Sequence, residues 1–377
     1  MKILIVDTYY PSFLAWFYGT NSAIQRSAYD AQIEALVDQC FGTADFYSRH
    51  LNALGCEVQD LIVNCAPLQT RWARENQFSF QEWSLRIPHR AYRIPLLGNL
   101  LARLPGLLDI AIEQVKTFAP DILYCQDLSF FPPGVLNTLK EHAKLIVGQI
   151  ACPLPPSHFL QPYDLILTSF PHYVPRLRQL GIASEYFRIG FDSRVLEKLG
   201  AVEKNLPVSF VGGISRNHGK AISTLEYLAD ATPIEFFGYG ASILNSRSPI
   251  LRKHHGEVWG LDMYRVLARS QVTLNRHIDV AENNANNMRL YEATGVGALL
   301  ITDRKDNLGE LFAADKEVVV YSSREEAAEL IKHYLANPEE AIAIAKAGQL
   351  RTLSEHTYAH RMRELVPILK RYYKESR

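Results

Sequence analysis

Side chains able to do chemistry gather in the second half of the sequence, between Asn275 and Glu292. Asn275 follows an apolar run, an asparagine-dense stretch continues to Asn287, and Arg289 and Glu292 then stand three residues apart. Asparagine disfavours helices and is common in loops that carry function. A carboxylate at 292 could accept both hydroxyls of a ribose, and a guanidinium at 289 could reach a phosphate. The open alternative is an internal Arg–Glu pair on one helical face.

A glycine turn with nearby cations precedes this stretch. The run V-S-F-V-G-G-I-S-R-N-H-G-K, Val208–Lys220, places Gly212 and Gly213 directly after an apolar segment. Glycines permit a tight turn and close backbone approach to a ligand, and Arg216 and Lys220 could direct positive charge at a diphosphate above the next helix N-terminus. A purely structural turn explains the glycines equally well. Neither G-x-G-x-x-G nor G-x-x-x-x-G-K-[ST] is present, which disfavours a standard dinucleotide site or a P-loop.

A third candidate segment, Glu257–Tyr264, has the pattern of a strand, a glycine turn and a helix start. In a nucleotide site, backbone groups at Gly260 and Leu261 could hydrogen-bond the edge of a base. The alternative is that Trp259 fills the domain core while Asp262 complements the helix dipole. For Trp259 itself we favour the core.

Candidate general bases lie in the first half of the chain. Asp7 ends the first predicted strand, Asp127 ends the third, and His172 follows Thr168 in T-S-F-P-H. The carboxyl ends of parallel strands meet at one edge of a sheet, where each of these groups could take a proton from an acceptor hydroxyl. Each could equally cap a helix or bind a loop backbone.

Two further patterns carry weaker signals. His356 and His360 are four residues apart on a predicted helix, a spacing that can hold a metal, but no third ligand is evident and helix packing is favoured. Arg86–Arg103 mixes arginine with apolar residues and could touch a membrane surface or a lipid-linked acceptor, so peripheral membrane association is possible. A mobile, partly buried connection is the favoured interpretation of that segment. Because helix packing is favoured for His356 and His360, no metal site is predicted.

Alternating strands and helices would position these groups. Short apolar runs predict a first series of strands: Lys2–Val6, Val58–Val63, Ile122–Cys125, Leu145–Ile150 and Leu165–Thr168. A second series is predicted: Val208–Val211, Ile234–Phe237, Val258–Trp259, Val272–Leu274, Ala298–Ile301 and Val318–Tyr321. Runs that are apolar on both faces are typical of parallel strands covered by helices. Amphipathic segments between them predict those helices, among them: Tyr29–Leu54, Leu104–Phe118 and Pro133–Ala143.

A polar segment at 193–206 separates the two series and is interpreted as a linker. We therefore expect an α/β protein of two Rossmann-like, doubly wound domains facing each other across a cleft, over residues 1–192 and 207–355, with a final helix at 356–377. Two domains also suit the length, because 377 residues exceed one ordinary core.

Composition excludes several classes of protein. The 40 basic and 40 acidic side chains give a net charge of zero, so no nucleic-acid partner is expected. No apolar run reaches about 18 residues and no signal peptide is evident, which predicts a cytoplasmic protein without a membrane span. The 5 cysteines form no C-x-x-C pair and are expected to be buried free thiols in a reducing compartment.

Several blocks of the second half resemble CgeB-like glycosyltransferases, a family named after a spore-maturation protein. Between residues 206 and 365 these blocks are V-S-F-V-G-G, G-E-V-W-G-L-D-M-Y, L-N-R-H, N-M-R-L-Y-E-A, G-A-L-L-I-T-D, E-L-F, E-V-V-V-Y and E-H-T-Y-A-H-R. First-half phrases are similar to the same family: D-T-Y-Y-P-S-F-L, F-G-T-A-D-F-Y-S, G-Q-I-A-C-P-L-P and S-F-P-H-Y-V. The resemblance implies a GT-B fold that holds a donor nucleotide mainly in the second domain and an acceptor mainly in the first. It also implies no bound metal and no cofactor, with a nucleotide-sugar as co-substrate.

Carried onto this sequence, the resemblance implies that Arg216 and Lys220 neutralise the diphosphate of the donor. It implies that Glu292 holds the ribose and that the Gly260–Leu261 backbone meets the base. A UDP-sugar is the favoured donor on resemblance alone.

One departure bears on stereochemistry. The large retaining GT-B families have two glutamates separated by seven residues, and Asn284 stands where the first of them would be. Retention is therefore in doubt, and an inverting displacement would need a base such as Asp7 or Asp127.

The leading hypothesis is a metal-independent glycosyltransferase that moves a sugar from a nucleotide diphosphate-sugar to a hydroxyl acceptor. A cell-surface glycan or a secondary metabolite is a plausible acceptor, and the oligomeric state is left open by the sequence. The alternatives are a nucleotide-sugar epimerase of GT-B fold and a non-catalytic nucleotide- or glycan-binding module.

Overall fold

The computed structural model describes residues 1–79, 106–214 and 219–375, except for the side chains of 219–221. Contacts divide the chain into two compact units. Unit 1 comprises Met1–Thr168, His172–Glu185 and Leu365–Arg377, and unit 2 comprises Ser169–Pro171 and Tyr186–Glu364. Each unit contains one sheet.

Unit 1 contains a six-stranded sheet in the order β2-β1-β3-β4-β5-β6. Its strands are: β1 (Lys2–Asp7), β2 (Glu57–Ile62), β3 (Ile122–Cys125), β4 (Leu145–Ile150), β5 (Leu165–Thr168) and β6 (Ser184–Tyr186). Strands β1 to β5 pair in parallel, and β3, β4 and β5 are buried along their whole length. The five strands predicted from apolar runs are confirmed to within a residue at each end. Three-residue β6 was not predicted, since it is too short to show a pattern.

The helices of unit 1 break one sequence prediction. They are: α1 (Pro11–Thr20), α2 (Tyr29–Val37), α3 (Phe46–Ala53), α4 (Ala66–Glu75), α5 (Leu107–Phe118), α6 (Pro133–Leu139), α7 (Ser157–Leu160) and α8 (Tyr173–Gln179). A single helix over Tyr29–Leu54 is wrong, because the chain leaves the helical conformation between α2 and α3. Cys40, Gly42 and Ala44 have φ of +55°, +59° and +42°, which a right-handed helix excludes. The segment contains no proline and a single glycine, so its sequence carries little warning of the break.

Unit 2 contains a five-stranded parallel sheet in the order β11-β10-β9-β7-β8. Its strands are: β7 (Leu206–Val211), β8 (Ile234–Phe237), β9 (Ser270–Asn275), β10 (Leu299–Asp303) and β11 (Val319–Tyr321). The predicted strand Val258–Trp259 is wrong. The chain instead runs beside β8 a few residues earlier, where the His255 N–H donates to the Phe236 carbonyl at 2.9 Å. Positive φ at Gly256, +87°, turns the chain away directly afterwards.

Helices cover this second sheet. Those of unit 2, the last of which continues into unit 1, are: α9 (Arg194–Leu199), α10 (Gly219–Ala231), α11 (Gly260–Arg269), α12 (Arg289–Gly295), α13 (Arg324–Ala336), α14 (Pro338–Glu355) and α15 (Tyr358–Glu375). The predicted linker at 193–206 lies in unit 2, carries α9 and ends in the first residue of β7. Its polar composition reflects a short helix that buries Val195 alone.

Both sheets have a point where strand order reverses. In unit 1, β2 and β3 lie on opposite sides of β1, and in unit 2, β8 and β9 lie on opposite sides of β7. Ligands of open α/β sheets bind outside the carboxyl ends of the strands at such a point. The residues that follow β1 and β3, and those that follow β7 and β9, are therefore the candidates for function.

Thiols and membrane contacts were also predicted from sequence. All 5 cysteines are free, and Cys40, Cys65 and Cys125 are buried, whereas Cys152 is exposed, so the expectation of burial is wrong for Cys152. Burial raises the pKa of the Cys125 thiol to about 12, which keeps it protonated.

No helix in the described part of the chain is long and apolar enough to cross a membrane. Arg86–Arg103, the candidate for membrane contact, lies outside the described residues.

Candidate functional site

The glycine turn after β7 is held by the loop after β8. The Gly212 N–H donates to the Phe237 carbonyl at 2.9 Å. Two residues later, the Ile214 N–H donates to the Tyr239 carbonyl, also at 2.9 Å. Gly240 has φ of +90°, and a Cβ there would overlap the carbonyl oxygen of Ile214. Glycine at 240 is therefore required for the two loops to lie edge to edge.

Gly213 faces an aromatic pair. A Cβ at this position would overlap the ring of Tyr239, which stacks on Trp259 with ring centroids 6.1 Å apart. Trp259 is 6% exposed, which confirms the interpretation that it fills the core. In this structure the ring of Tyr239 thus fills the space beside Gly213. Close approach of Gly212 and Gly213 to a ligand stays a prediction.

Arg289 joins three elements at the carboxyl end of β7. Its Nε donates to the Val211 carbonyl at 3.1 Å, and its Nη1 lies 3.2 Å from Met263 Sδ in the first turn of α11. Nη1 also lies 2.7 Å from Glu292 Oε2, one turn along α12. The side chains of Arg289 and Glu292 are only 14% and 7% exposed. The sequence therefore placed both residues on one helical face correctly, and the internal ion pair is formed.

Glu292 is a buried carboxylate with charged and neutral donors. Burial raises its pKa, while the positive charge of Arg289 and a hydrogen bond from Tyr264 act to lower it. A carboxylate offers about four lone-pair sites, so these two partners leave acceptor capacity for a ligand hydroxyl. The arrangement suits the predicted recognition of a diol.

The N-terminus of α11 lies beside Arg289, because Met263 in the first turn of this helix contacts the Arg289 guanidinium. Gly260 has φ of +51°, a conformation that favours glycine at the first position of this helix. The first N–H groups of a helix have no partner within it and carry the positive end of its dipole. Those of Gly260 and Leu261 are therefore suited to bind an anion or a base edge, and their contact with a base stays a prediction.

The amides at the two ends of the candidate asparagine-dense stretch, Asn275 and Asn287, bind each other. Asn287 Nδ2 donates to Asn275 Oδ1 at 2.8 Å, and Asn275 Nδ2 lies 3.3 Å from Asn287 Oδ1. Asn275 also donates to the Thr302 hydroxyl at 2.9 Å. These bonds fasten the asparagine-rich loop to the ends of β9 and β10. Asn275 and Asn287 consequently position the loop in this structure, and their contact with a ligand stays a prediction.

A histidine–aspartate pair beside these amides was missed at the sequence level. His277 Nδ1 lies 2.7 Å from Asp303 Oδ1, and Lys305 Nζ lies 3.3 Å from Asp303 Oδ2. Burial raises the pKa of Asp303, but the bond and charge of His277 and the charge of Lys305 outweigh burial and lower it. The signal was available, because His277 and Asp303 each follow the end of a predicted strand, and those two strands are consecutive in the predicted series.

The two predicted diphosphate-binding cations cannot be placed. Arg216 and the side chain of Lys220 lie outside the described residues. The backbone of Lys220 belongs to the first turn of α10. Their contact with a diphosphate stays a prediction.

Unit 1 brings Asp7 and Asp127 together at its own reversal point. The Thr8 N–H donates to Asp7 Oδ1 at 2.7 Å, and the Thr8 hydroxyl donates to Asp127 Oδ2 at 2.9 Å. Thr43 donates to Gln126 Oε1 at 2.7 Å and lies 3.5 Å from Asp7 Oδ2. Thr43 and Gln126 were not among the predicted site residues. Thr43 lies within Tyr29–Leu54, the segment that was wrongly predicted to be one helix.

Asp7 is tuned to titrate near neutrality. Burial, aided by the charge of Asp127, raises its pKa to about 7 against the lowering effect of hydrogen bonds from Thr8 and Thr43. A base is most effective when its pKa lies near the working pH. Asp7 therefore has the properties of a general base.

His172 and the two C-terminal histidines complete the predicted candidates. His172 precedes α8 and packs edge-on against Tyr173, with ring centroids 4.8 Å apart, and its role as a base stays a prediction. His356 and His360 do not share a helix, because His356 is the cap that ends α14. No group of three metal-binding side chains occurs among the described residues.

His356 instead anchors the E-H-T-Y-A-H-R segment. Its Nε2 lies 2.8 Å from the Leu311 carbonyl, and fully buried Arg361 donates to its Nδ1 at 2.7 Å. Burial, aided by the charge of Arg361, lowers the pKa of His356 to about 4 against the opposing bond to Leu311. His356 therefore has a structural role in this segment.

Known proteins resemble this chain in sequence and in fold. Residues 217–367 match a sequence family described as Glycosyl transferase-like. Among solved structures, Anabaena HepE in complex with UDP-glucose matches with a TM-score of 0.58 and 14% identity, over 98% of this chain and 99% of HepE. The fold is GT-B. Sucrose-phosphate synthase from Thermosynechococcus elongatus matches with a TM-score of 0.58 and 10% identity, over 99% of both chains. A glycosyltransferase from Rickettsia africae matches with a TM-score of 0.54 and 13% identity, over 99% of this chain and 98% of that one. No curated protein matches the sequence.

These likenesses confirm the predicted fold class of two Rossmann-like parallel-sheet domains in one GT-B chain. The glycosyl transferase-like match covers α12 with Arg289 and Glu292, and it covers His277 and Asp303. The Gly212–Gly213 turn lies just before it. The matched region of the sequence thus coincides with most of the cluster at the carboxyl ends of β7 and β9.

Proposed function

We propose that this protein is a glycosyltransferase of the CgeB-like kind, which moves a sugar from a nucleotide diphosphate-sugar to a hydroxyl acceptor. The observation that carries the proposal is the buried Arg289–Glu292 pair, held against the Val211 carbonyl and Met263 where strand order reverses in unit 2. A UDP-sugar is the proposed donor. This choice is supported by the fold, since the structure of HepE contains UDP-glucose.

The donor is proposed to bind along the ends of β7 and α11. Glu292 accepts the ribose hydroxyls with the acceptor capacity that Arg289 and Tyr264 leave to it. The N–H groups at Gly260 and Leu261 meet the base. Buried charge-assisted bonds of this kind give both affinity and orientation.

The diphosphate is proposed to be stabilised without a metal ion. When the bond between the sugar C1 and the diphosphate oxygen breaks, negative charge develops on the leaving nucleotide. Arg216, Lys220 and Arg289 are the proposed cations for this charge, with the turn at Gly212 and Gly213 bringing backbone N–H groups close.

The acceptor is proposed to lose its proton to Asp7. Its hydroxyl oxygen forms the new bond to C1 while the proton passes to the Asp7 carboxylate, and the nucleotide diphosphate leaves. A pKa of about 7 makes Asp7 a better candidate than an ordinary carboxylate for this step. With Asn284 in place of a glutamate, we propose an inverting displacement.

A cytoplasmic location is part of the proposal. It is supported by the 5 cysteines, which are all free, because thiols persist in a reducing compartment.

A thermal-shift comparison of nucleotides tests the proposed donor. UDP at about 100 times its Kd should stabilise the fold by about 2.7 kcal/mol and raise the melting temperature by roughly 5 to 10 °C. GDP, dTDP and ADP should do so less. If none of the four moves the midpoint at millimolar concentration, the proposal is wrong.

Glu292→Gln localises that binding. Loss of a charge-assisted bond to the ribose should weaken UDP binding by roughly 10- to 100-fold. Glu329→Gln is the matched control, because Glu329 also forms an ion pair at a spacing of three residues, with Lys332 on an exposed face. Equal UDP binding by the Glu292 and Glu329 variants would place the nucleotide elsewhere. Release of free UDP with a transferred sugar separates a transferase from an epimerase or a binding module.

A further inference from the structure

Aromatic side chains lie next to the polar groups at the end of β1. The chain passes from Asp7 and Thr8 directly to Tyr9 and Tyr10 before α1 begins. Tyr10 is 47% exposed, and its ring lies 5.6 Å from that of Phe41 at an angle of 69°. We call Tyr10 and Phe41 the aromatic platform.

Hydrogen bonds fix the backbone of Tyr9 and Tyr10, from which the platform projects. The Tyr9 N–H donates to Asn64 Oδ1 at 2.9 Å, and Asn64 Nδ2 donates back to the Tyr9 carbonyl at 2.7 Å. The next residue, Tyr10, caps α1, where the Leu14 N–H donates to the Tyr10 carbonyl at 3.0 Å. An exposed aromatic ring on a fixed backbone loses little entropy when a ligand covers it.

Phe41 reaches the platform from a strained loop. Its ring stacks on buried Phe13 with centroids 4.1 Å apart. On either side, Cys40 and Ala44 hold positive φ although neither is glycine. Such conformations cost free energy and cluster at sites of function. The same loop carries Thr43 to Asp7 and Gln126, so one segment joins the aromatic platform to the polar groups.

We propose that the aromatic platform and its polar neighbours, Asp7, Gln126 and Asp127, bind the acceptor, and that the acceptor is a carbohydrate. The inference rests on the proposed function and names the chemical class of its second substrate. The apolar C–H face of a sugar ring stacks on Tyr10. The hydroxyls of the same ring meet carboxylates that accept and an amide that donates.

The polar groups favour a sugar over a phenol. A phenol presents one hydroxyl and two apolar faces, so a single acceptor beside an enclosed apolar pocket would serve it. This edge instead offers two carboxylates, a threonine hydroxyl and the amide of Gln126. The Nε2 of Gln126 is buried and has no hydrogen-bond partner among the described residues. A ligand hydroxyl or a bound water would satisfy it.

Saturation-transfer NMR tests the class of ligand on the full chain. The panel contains gluco-, galacto- and manno-configured oligosaccharides and, separately, simple phenols, each at millimolar concentration. Signals from a saccharide are expected, and Tyr10→Ala should weaken its binding about tenfold, as loss of one ring contact implies. Tyr10→Phe should retain it. Leu54→Ala is the control, because Leu54 is a 42% exposed side chain of unit 1 outside the platform.

The outcomes separate this inference from the proposed function. Binding of phenols without saccharides overturns the inference, as does a Tyr10→Ala protein that melts normally and binds the saccharide like wild type. Absence of any saccharide signal also overturns it. The UDP thermal shift is an independent measurement, so a protein that responds to UDP but not to saccharides keeps the proposed function and loses only the carbohydrate acceptor.

Discussion

Asp7 should impose a pH dependence on the reaction. Its pKa of about 7 means that only the ionised fraction can take the acceptor proton, and that fraction falls tenfold per pH unit below 7. At pH 5, kcat/KM should therefore be about 100-fold below its plateau. An ordinary aspartate would remain mostly ionised there and would give almost no loss.

A neighbouring charge makes the dependence adjustable. Asp127→Asn keeps an oxygen that can accept from Thr8, but it removes the negative charge that helps to raise the pKa of Asp7. Because the acid limb of the profile follows the pKa of Asp7, it should move to lower pH. If that pKa falls by about one unit, the rate at pH 5 relative to the plateau rises about tenfold. Asp7→Asn should instead lower kcat/KM by about 100-fold or more on the high-pH plateau and should remove the acid limb.

The assay is UDP release from a UDP-sugar in the presence of acceptor, at subsaturating substrate and constant ionic strength, from about pH 5 to about pH 9. Asp30→Asn, an exposed carboxylate in the first turn of α2, is the control. A flat wild-type profile across this range would refute the assignment. So would an Asp7→Asn enzyme with the rate of wild type, whereas abolition of activity by Asp127→Asn would move the base to Asp127.

The same pKa has a consequence for stability. Asp7 binds its proton more tightly in the folded state than in the unfolded state, so its contribution is present below its ordinary pKa of 3.8 and is lost as pH rises through about 7. Asp7→Asn should therefore stabilise the fold at pH 8, by at most about 4 kcal/mol. Urea unfolding at pH 8 measures this, and a less stable variant would contradict the burial of an ionised Asp7.

Further predictions concern the loops and the C-terminal anchor. Gly240→Ala should cost about 3 kcal/mol or more by adding a backbone overlap to its positive φ, whereas Gly256→Ala, with similar φ and open space, should cost about 1 kcal/mol in urea unfolding. Asp303→Ala, which deprives His277 of its partner, should cost about 1 to 3 kcal/mol by the same measurement. The lowered pKa of His356 means that its stabilising contribution is present above 6.5 and is lost as pH falls towards 4, so His356→Gln should unfold with a shallower acid dependence over that window.

Much of the fold could be predicted because it depends on local pattern. Most strands of both sheets are short apolar runs, and most of them lie where those runs predicted. The failures also have local causes. The break between α2 and α3 depends on left-handed residues at Cys40 and Ala44, which no residue type announces. The chain beside β8 pairs at His254, before the apolar Val258–Trp259 that suggested a strand.

The site was predicted unevenly for a related reason. The Arg289–Glu292 pair follows from a spacing of three residues on one helix, so the sequence contains it directly. The bond between Asn275 and Asn287 also spans few residues, but the sequence does not say that the two amides choose each other over a ligand.

By itself the sequence determined the alternation of strands and helices, the turn at Gly212 and the helical face of Glu292. Each of these depends on neighbours within a turn or a strand. Only the tertiary structure decided that Asp7 meets Thr43 and Asp127, because strand order and loop conformation bring together residues far apart in the chain. Burial, which moves the pKa of Asp7 towards neutrality, is likewise a property of the assembled sheet and the loops that cover its edge.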